Sequence, residues 1–132
     1  MPGDSDRSAA RVDVLVIDDD PAFLHSLVSM LGTYGIRIAT ARDGLEGLKL
    51  FRQISPAVVL TDILMPEQDG IATIMAMRRE KSGVKIIAMS GGGRVGKSDF
   101  LSIAKMLGAD AVIDKPFDAD ALVALIRAPR PG

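Results

Sequence analysis

Val12-Asp13-Val14-Leu15-Val16-Ile17, running straight into Asp18-Asp19-Asp20-Pro21, is the stretch that decides the fold. The first six residues are a β-branched, mostly apolar run, which predicts a strand with apolar cover on both faces. It stops abruptly in acid. Asp20-Pro21 then supplies a capping side chain followed by proline in the first helical turn, where a missing N–H costs nothing. Phe23, Leu24, Leu27, Val28 and Leu31 follow at helical spacing, and Gly32 to Gly35 ends the segment. The reading is one strand–helix unit with carboxylates at the junction.

Downstream the unit recurs. Residues 36–40 read as a second strand, and Asp43 with Glu46 three residues on has the form of a capping box. Leu45, Leu48, Phe51 and Ile54 give the apolar stripe of the helix that follows. Ala57-Val58-Val59-Leu60-Thr61 is the third strand and again ends in an acid, Asp62. Asp69-Gly70 opens a third helix carrying Ile71, Ile74, Met75 and Arg78, with Arg78, Arg79 and Lys81 forming a solvated helix end. Residues 84–89 are the fourth strand, Ser98 caps a fourth helix ending at Gly108, residues 111–113 are a short fifth strand, and Asp118 starts a last helix through Leu122, Leu125 and Ile126. Five such units with nearly continuous apolar strands predict an α/β fold: a parallel sheet with helices on both faces. The expected organisation is a lead-in over 1–11, one domain over 12–127 and a tail over 128–132.

Composition narrows the function. With 132 residues there is length for one core and little more. Sixteen basic and 17 acidic side chains leave a net charge of −1, so no overall field draws nucleic acid or an anionic membrane. There are no cysteines, which excludes disulfides, thiolate metal sites and cysteine nucleophiles. No apolar run approaches the roughly 20 residues that span a bilayer, and residues 1–11 are polar rather than signal-like. The cytoplasm is the expected location.

The acids at the strand ends carry the chemistry. Ligands of such sheets bind outside the carboxyl ends of the strands. If the first and third strands are neighbours, Asp18, Asp19 and Asp62 converge. Like charges at short range are costly, and a hard divalent cation such as Mg²⁺ removes that cost. One carboxylate can then serve as nucleophile toward phosphorus. Ser90, ending the fourth strand, offers a hydroxyl, and Lys115, after the fifth, offers a cation. Singly, each has a plainer reading: Asp20 as a helix cap, Asp62 as a turn residue, Ser90 as a loop hydroxyl, Lys115 as a surface charge. Their convergence on one end of one sheet favours the phosphoryl site.

These residues also carry a resemblance. Val14-Leu15-Val16-Ile17-Asp18-Asp19-Asp20, then Asp62-Ile63-Leu64-Met65-Pro66-Glu67-Gln68-Asp69-Gly70, Met89-Ser90 and Asp114-Lys115-Pro116-Phe117 resemble the CheY-like receiver domains of two-component response regulators over residues 12–126. The resemblance implies a three-layer, doubly wound, flavodoxin-like (βα)5 fold with strand order 2-1-3-4-5. It implies Asp62 as phosphoacceptor, and Asp18, Asp19, Asp62 and the Leu64 carbonyl around Mg²⁺. Lys115 would hold the phosphate, Ser90 would be the switch hydroxyl, and the Lys115–Pro116 bond would be cis. The implied donor is a sensor histidine kinase, a phosphotransfer protein or a small acyl phosphate. Self-catalysed phosphotransfer would shift the face made by the fourth helix, fifth strand and fifth helix. That response passes to a downstream protein or to an output domain outside these residues, with no nucleic acid or membrane bound by the domain itself.

Two positions depart from the family pattern. Val112 stands where an aromatic rotamer switch is usual, and the loop Gly91-Gly92-Gly93-Arg94-Val95-Gly96-Lys97 is long and glycine-rich. With Ser98 that loop also satisfies G-x-x-x-x-G-K-S, a phosphate-cradling P-loop. The acidic strand precedes it, however, which demands a permuted nucleotide-binding fold. A phosphorylation-independent interaction module is the other alternative. His25, beside Ser29 on the polar side of the first helix, reads as a surface residue. Tyr34 carries no pattern, and Met65, Met75, Met77, Met89 and Met106 read as gap-fillers.

Overall fold

A computed structural model describes residues 12–62, 69–81, 83–90 and 108–129. Five strands, β1 (Val14–Ile17), β2 (Ile38–Ala41), β3 (Val58–Asp62), β4 (Lys85–Ser90) and β5 (Ala111–Asp114), form one sheet in the order β2-β1-β3-β4-β5. Every pairing is parallel. The described helices are α1 (Pro21–Gly32), α2 (Gly44–Ile54), α3 (Asp69–Glu80) and, as the last, α4 (Ala119–Arg127). The helix expected from Ser98 lies outside the described residues.

Alternation along each strand builds two cores. Leu15, Ile17, Val59, Ile86 and Ala88 point to one face, where they meet Phe51, Ile74 and Met77 from α2 and α3. Val14, Val16, Val58, Leu60, Ile87 and Met89 point to the other, against Leu24, Leu27 and Leu31 of α1 and Leu122 and Val123 of α4. The order reverses between β1 and β3. A crevice therefore opens above their carboxyl ends.

The caps follow the sequence closely. Asp20 accepts from the Ala22 and Phe23 N–H groups at 3.0 and 3.3 Å, and Asp118 accepts from the Ala121 N–H at 2.7 Å. At α2, Asp43 accepts from Glu46 N–H at 2.8 Å, while the Glu46 carboxylate reaches back one residue further than in the standard box, to the Arg42 N–H at 2.8 Å.

The stripes differ from expectation. Leu45 is 79% exposed, and the inward face of the first turn of α2 is Gly44 and Gly47. A Cβ on Gly47 would lie 2.4 Å from Ile17 Cδ1 and 2.8 Å from its Cγ1. Gly47→Ala is accordingly expected to destabilise the domain. Overpacking against a fully buried strand residue costs about 1–3 kcal/mol, against roughly 1 kcal/mol of regained helix propensity. Urea unfolding that finds the variant as stable as the parent would contradict this packing argument. Among the described side chains of α3, Thr73, Ile74 and Met77 are buried and Met75 is on the surface, so the inward apolar stripe runs through Met77 instead of Met75.

Candidate functional site

The register of the central strands sets the site. Ile17 pairs with Thr61, so Asp18, one step beyond, falls beside Asp62 at the end of β3. Asp18 is fully buried, Asp62 nearly so, and Asp19 is exposed on the rim. One carboxylate oxygen from each lies within 4.8 Å of the others. The Asp18 side chain is fixed from two sides: its Oδ1 accepts from the Asp20 N–H at 2.9 Å, and its Oδ2 accepts from Lys115 Nζ at 2.5 Å. Asp20 itself is the cap of α1.

Lys115 arrives from the other edge. Ser90, the last residue of β4, pairs with Asp114, the last residue of β5, and Lys115 follows directly. Its peptide bond to Pro116 is cis. Its ammonium bonds Asp62 Oδ2 at 3.3 Å as well as Asp18, so one cation spans the two buried carboxylates. Burial works against that charge, but the hydrogen bond to Asp18 and the fields of Asp62 and Asp18 outweigh it. The ammonium is held above the ordinary lysine range. Phe23 was legible only as an apolar stripe residue, yet its ring lies beneath this ammonium, 4.2 Å from Nζ to the ring centre.

Of the expected site residues, the structure thus brings together Asp18, Asp19, Asp62 and Lys115. The β4 backbone places Ser90 at the same end of the sheet. Leu64, the expected carbonyl ligand, lies outside the described residues, as do the glycine-rich loop and the P-loop pattern it belongs to. His25 is exposed.

A family model described as the response regulator receiver domain matches residues 14–127. The chain belongs to that family.

Response regulators resemble the chain in sequence, and solved receiver domains resemble it in fold. A "Probable transcriptional regulator ycf27" of Guillardia theta is 39% identical over 115 residues, which is 87% of this chain and 44% of the relative. The "DNA-binding response regulator MtrA" of Mycolicibacterium smegmatis is 34% identical over 120 residues, 89% of this chain and 50% of the relative. The chain spans about half the length of these relatives. Among solved structures, a response regulator receiver domain protein of Clostridium thermocellum superposes with a TM-score of 0.78 at 29% identity, covering 87% of this chain and 90% of that one. The Vibrio cholerae chemotaxis protein CheY4 gives a TM-score of 0.79 at 23% identity over 89% and 97% of the two chains, a likeness of fold.

The receiver domain is a signalling module of two-component response regulators, and a phosphoacceptor role fits its acidic pocket. The donor set is all hard carboxylate oxygen, which suits Mg²⁺ far better than a soft metal. None of the described helices is long and apolar enough to cross a membrane.

Proposed function

We propose that Asp62 is the phosphoacceptor of this receiver domain and that Asp18, Asp19, Asp62 and the Leu64 carbonyl hold a Mg²⁺ ion beside it. The observation that carries the reading is the convergence of three carboxylates within 4.8 Å, with Lys115 lying across two of them. A bound Mg²⁺ supplies positive charge against the phosphoryl oxygens and relieves the repulsion among the acids. An Asp62 carboxylate oxygen attacks phosphorus in line. The bond from phosphorus to the donor's imidazole nitrogen or acyl oxygen breaks, and its electron pair leaves with the donor. Lys115 exchanges an Asp62 oxygen for a phosphoryl oxygen, and the Ser90 hydroxyl donates to another. Hydrolysis of the acyl phosphate on the same residues resets the domain.

The phosphodonor is a sensor histidine kinase, a phosphotransfer protein or a small acyl phosphate, and the work is done in the cytoplasm by residues 12–127. Charge placed at Asp62 shifts a pre-existing equilibrium, read at the face that includes β5 and α4 by a downstream protein or by an output domain outside these residues. The "transcriptional" and "DNA-binding" names of the relatives favour an output domain in their case. This domain, with a chain charge of −1, has no field of its own for nucleic acid.

Acetyl phosphate with Mg²⁺ is expected to add the mass of one phosphoryl group to the chain, and chelation to abolish the gain. A gain that survives chelation, or that maps by peptide analysis to a residue other than Asp62, would sink the assignment.

A further inference from the structure

Phe23 lies at the margin of the core that holds Leu24, Leu27 and Leu122, packed against it on one side. It is the third residue of α1 and only half buried. Its ring presents a face to the Lys115 ammonium at 4.2 Å, and Phe117, two residues beyond Lys115, packs edge-on against that ring with centroids 6.0 Å apart and planes at 86°. The ammonium therefore has three neighbours of negative potential: Asp18, Asp62 and the π face of Phe23. An aliphatic side chain of similar size offers packing there but no such potential. The lysine also has room to leave. A cavity of about 460 Å³ borders it, lined by Phe23, Ser26, Leu27, Met30 and Phe117 among others.

We propose that Phe23 is a positioning residue for phosphoryl transfer, its ring face holding the Lys115 ammonium over Asp18 and Asp62 and out of this cavity. The proposal rests on the reading of Asp62 as phosphoacceptor and Lys115 as its cation. It adds that the lysine's place is set by an aromatic face as well as by the carboxylates. Before transfer that face keeps the ammonium where the incoming phosphoryl oxygens will arrive. After transfer it is a contact that the lysine need not surrender when it exchanges a carboxylate oxygen for a phosphoryl one. Positioning errors of this kind are costly because the chemistry depends on placed charge.

The test uses the whole chain with acetyl phosphate and Mg²⁺, so that docking of a kinase does not enter. Phe23→Leu is expected to accept phosphoryl about tenfold more slowly, equivalent to about 1.4 kcal/mol and within the range of a partly desolvated cation–π contact. Phe23→Tyr, which keeps the π face, is expected to stay within about twofold of the parent. A second readout needs neither donor nor metal. The Lys115 ε-methylene proton resonance is expected to be shifted upfield by the ring in the parent and in Phe23→Tyr, and to return to its ordinary position in Phe23→Leu. If the ring merely packs, the order reverses: Leu is tolerated, and Tyr, which must find room for a hydroxyl, is worse. Phe23→Leu reacting at the parental rate, or Leu and Tyr slowed alike, overturns the proposal while leaving Asp62 as acceptor. A parent chain that takes no phosphoryl overturns the acceptor reading and the proposal with it, and the lysine resonance then still reports whether the ring contact exists. Should Phe23→Leu fail to fold, the unbranched Phe23→Met replaces it with the same expectations.

Discussion

Asp62→Asn is expected to abolish the phosphoryl mass gain and, in metal-free protein, to raise stability by about 1–2 kcal/mol, once the desolvation of a nearly buried carboxylate is added to the Coulomb balance. The first half follows from chemistry, since an amide oxygen is no nucleophile toward phosphorus at neutral pH. The second follows from magnitudes. At an effective dielectric constant near 20, buried Asp18, with an oxygen within 4.8 Å of Asp62, repels it by about 3–4 kcal/mol, and exposed Asp19, screened by solvent, by about half as much. Lys115, at 3.3 Å, attracts it by about 5 kcal/mol. The two nearly balance, and burial of Asp62 tips the sum against the charged carboxylate. The converse variant has the opposite sign. Lys115→Met leaves Asp18 and Asp62 without their shared cation and is expected to lose about 2–3 kcal/mol, below the usual cost of breaking a buried pair because the lysine side chain is 20% exposed. Mg²⁺ added in excess is expected to stabilise the parent more than Asp62→Asn, since the amide carries no negative charge for the cation to offset. Chemical denaturation with and without Mg²⁺ reads all three. A destabilised Asp62→Asn would mean that the lysine, and not the acid cluster, governs this pocket.

The site was legible because each of its residues stands where an apolar run stops. Ile17 to Asp18, Leu60 to Thr61-Asp62 and Ile113 to Asp114-Lys115 are such changes of polarity, and a parallel sheet gathers them at one end. The adjacency of β1 and β3 was not legible from the residues alone and came with the resemblance. Helix faces were read less well, for a definite reason. In α2 the inward positions of the first turn are glycines, which no apolar periodicity detects, so the stripe was placed on Leu45 in their stead. The contact under Lys115 was hidden because an apolar pattern counts Phe23 and leucine as equals. No sequence pattern singled out a buried lysine either. Lys85 opens a strand and is buried, its ammonium bonded to the carbonyls of Leu125 and, at 2.7 Å, Ala128 at the end of α4, where burial lowers its pKa. Tyr34, without a pattern in sequence, donates to Asp120 at 2.6 Å.

Arg78 is the costliest of these misreadings to leave uncorrected, because the run Arg78-Arg79 followed by Lys81 looks like a solvated helix end. Its guanidinium instead donates to the Gly108 carbonyl through Nε at 3.1 Å and NH2 at 2.7 Å, to the Val84 carbonyl at 2.8 Å and to Asp110 Oδ2 at 2.8 Å. Asp110 also accepts from the Ile86 N–H at 2.9 Å, so one side chain of α3 ties together the approaches to β4 and β5. Gly108 turns there with a φ of 105°, a conformation that an L side chain rarely adopts. Arg78→Ala removes the donors and leaves Asp110, whose side chain is 11% exposed, without that cation. A loss of about 3–4 kcal/mol is expected, from charge-assisted bonds and an under-paired carboxylate together. For a domain of this size that corresponds to a fall in Tm of about 10 °C or more. Arg78→Lys keeps the charge but not the fork that reaches three acceptors, and is expected to recover less than half of the loss. Arg79→Ala, on the exposed side of the same turn, is expected to change stability by less than about 0.5 kcal/mol. The network lies at the opposite end of the strands from Asp62, so phosphoryl acceptance well below the melting temperature is expected to survive in Arg78→Ala. A variant that melts with Arg79→Ala would show that the fork holds nothing the backbone does not already hold, and one that folds normally but takes no phosphoryl would place the arginine in the site's own machinery.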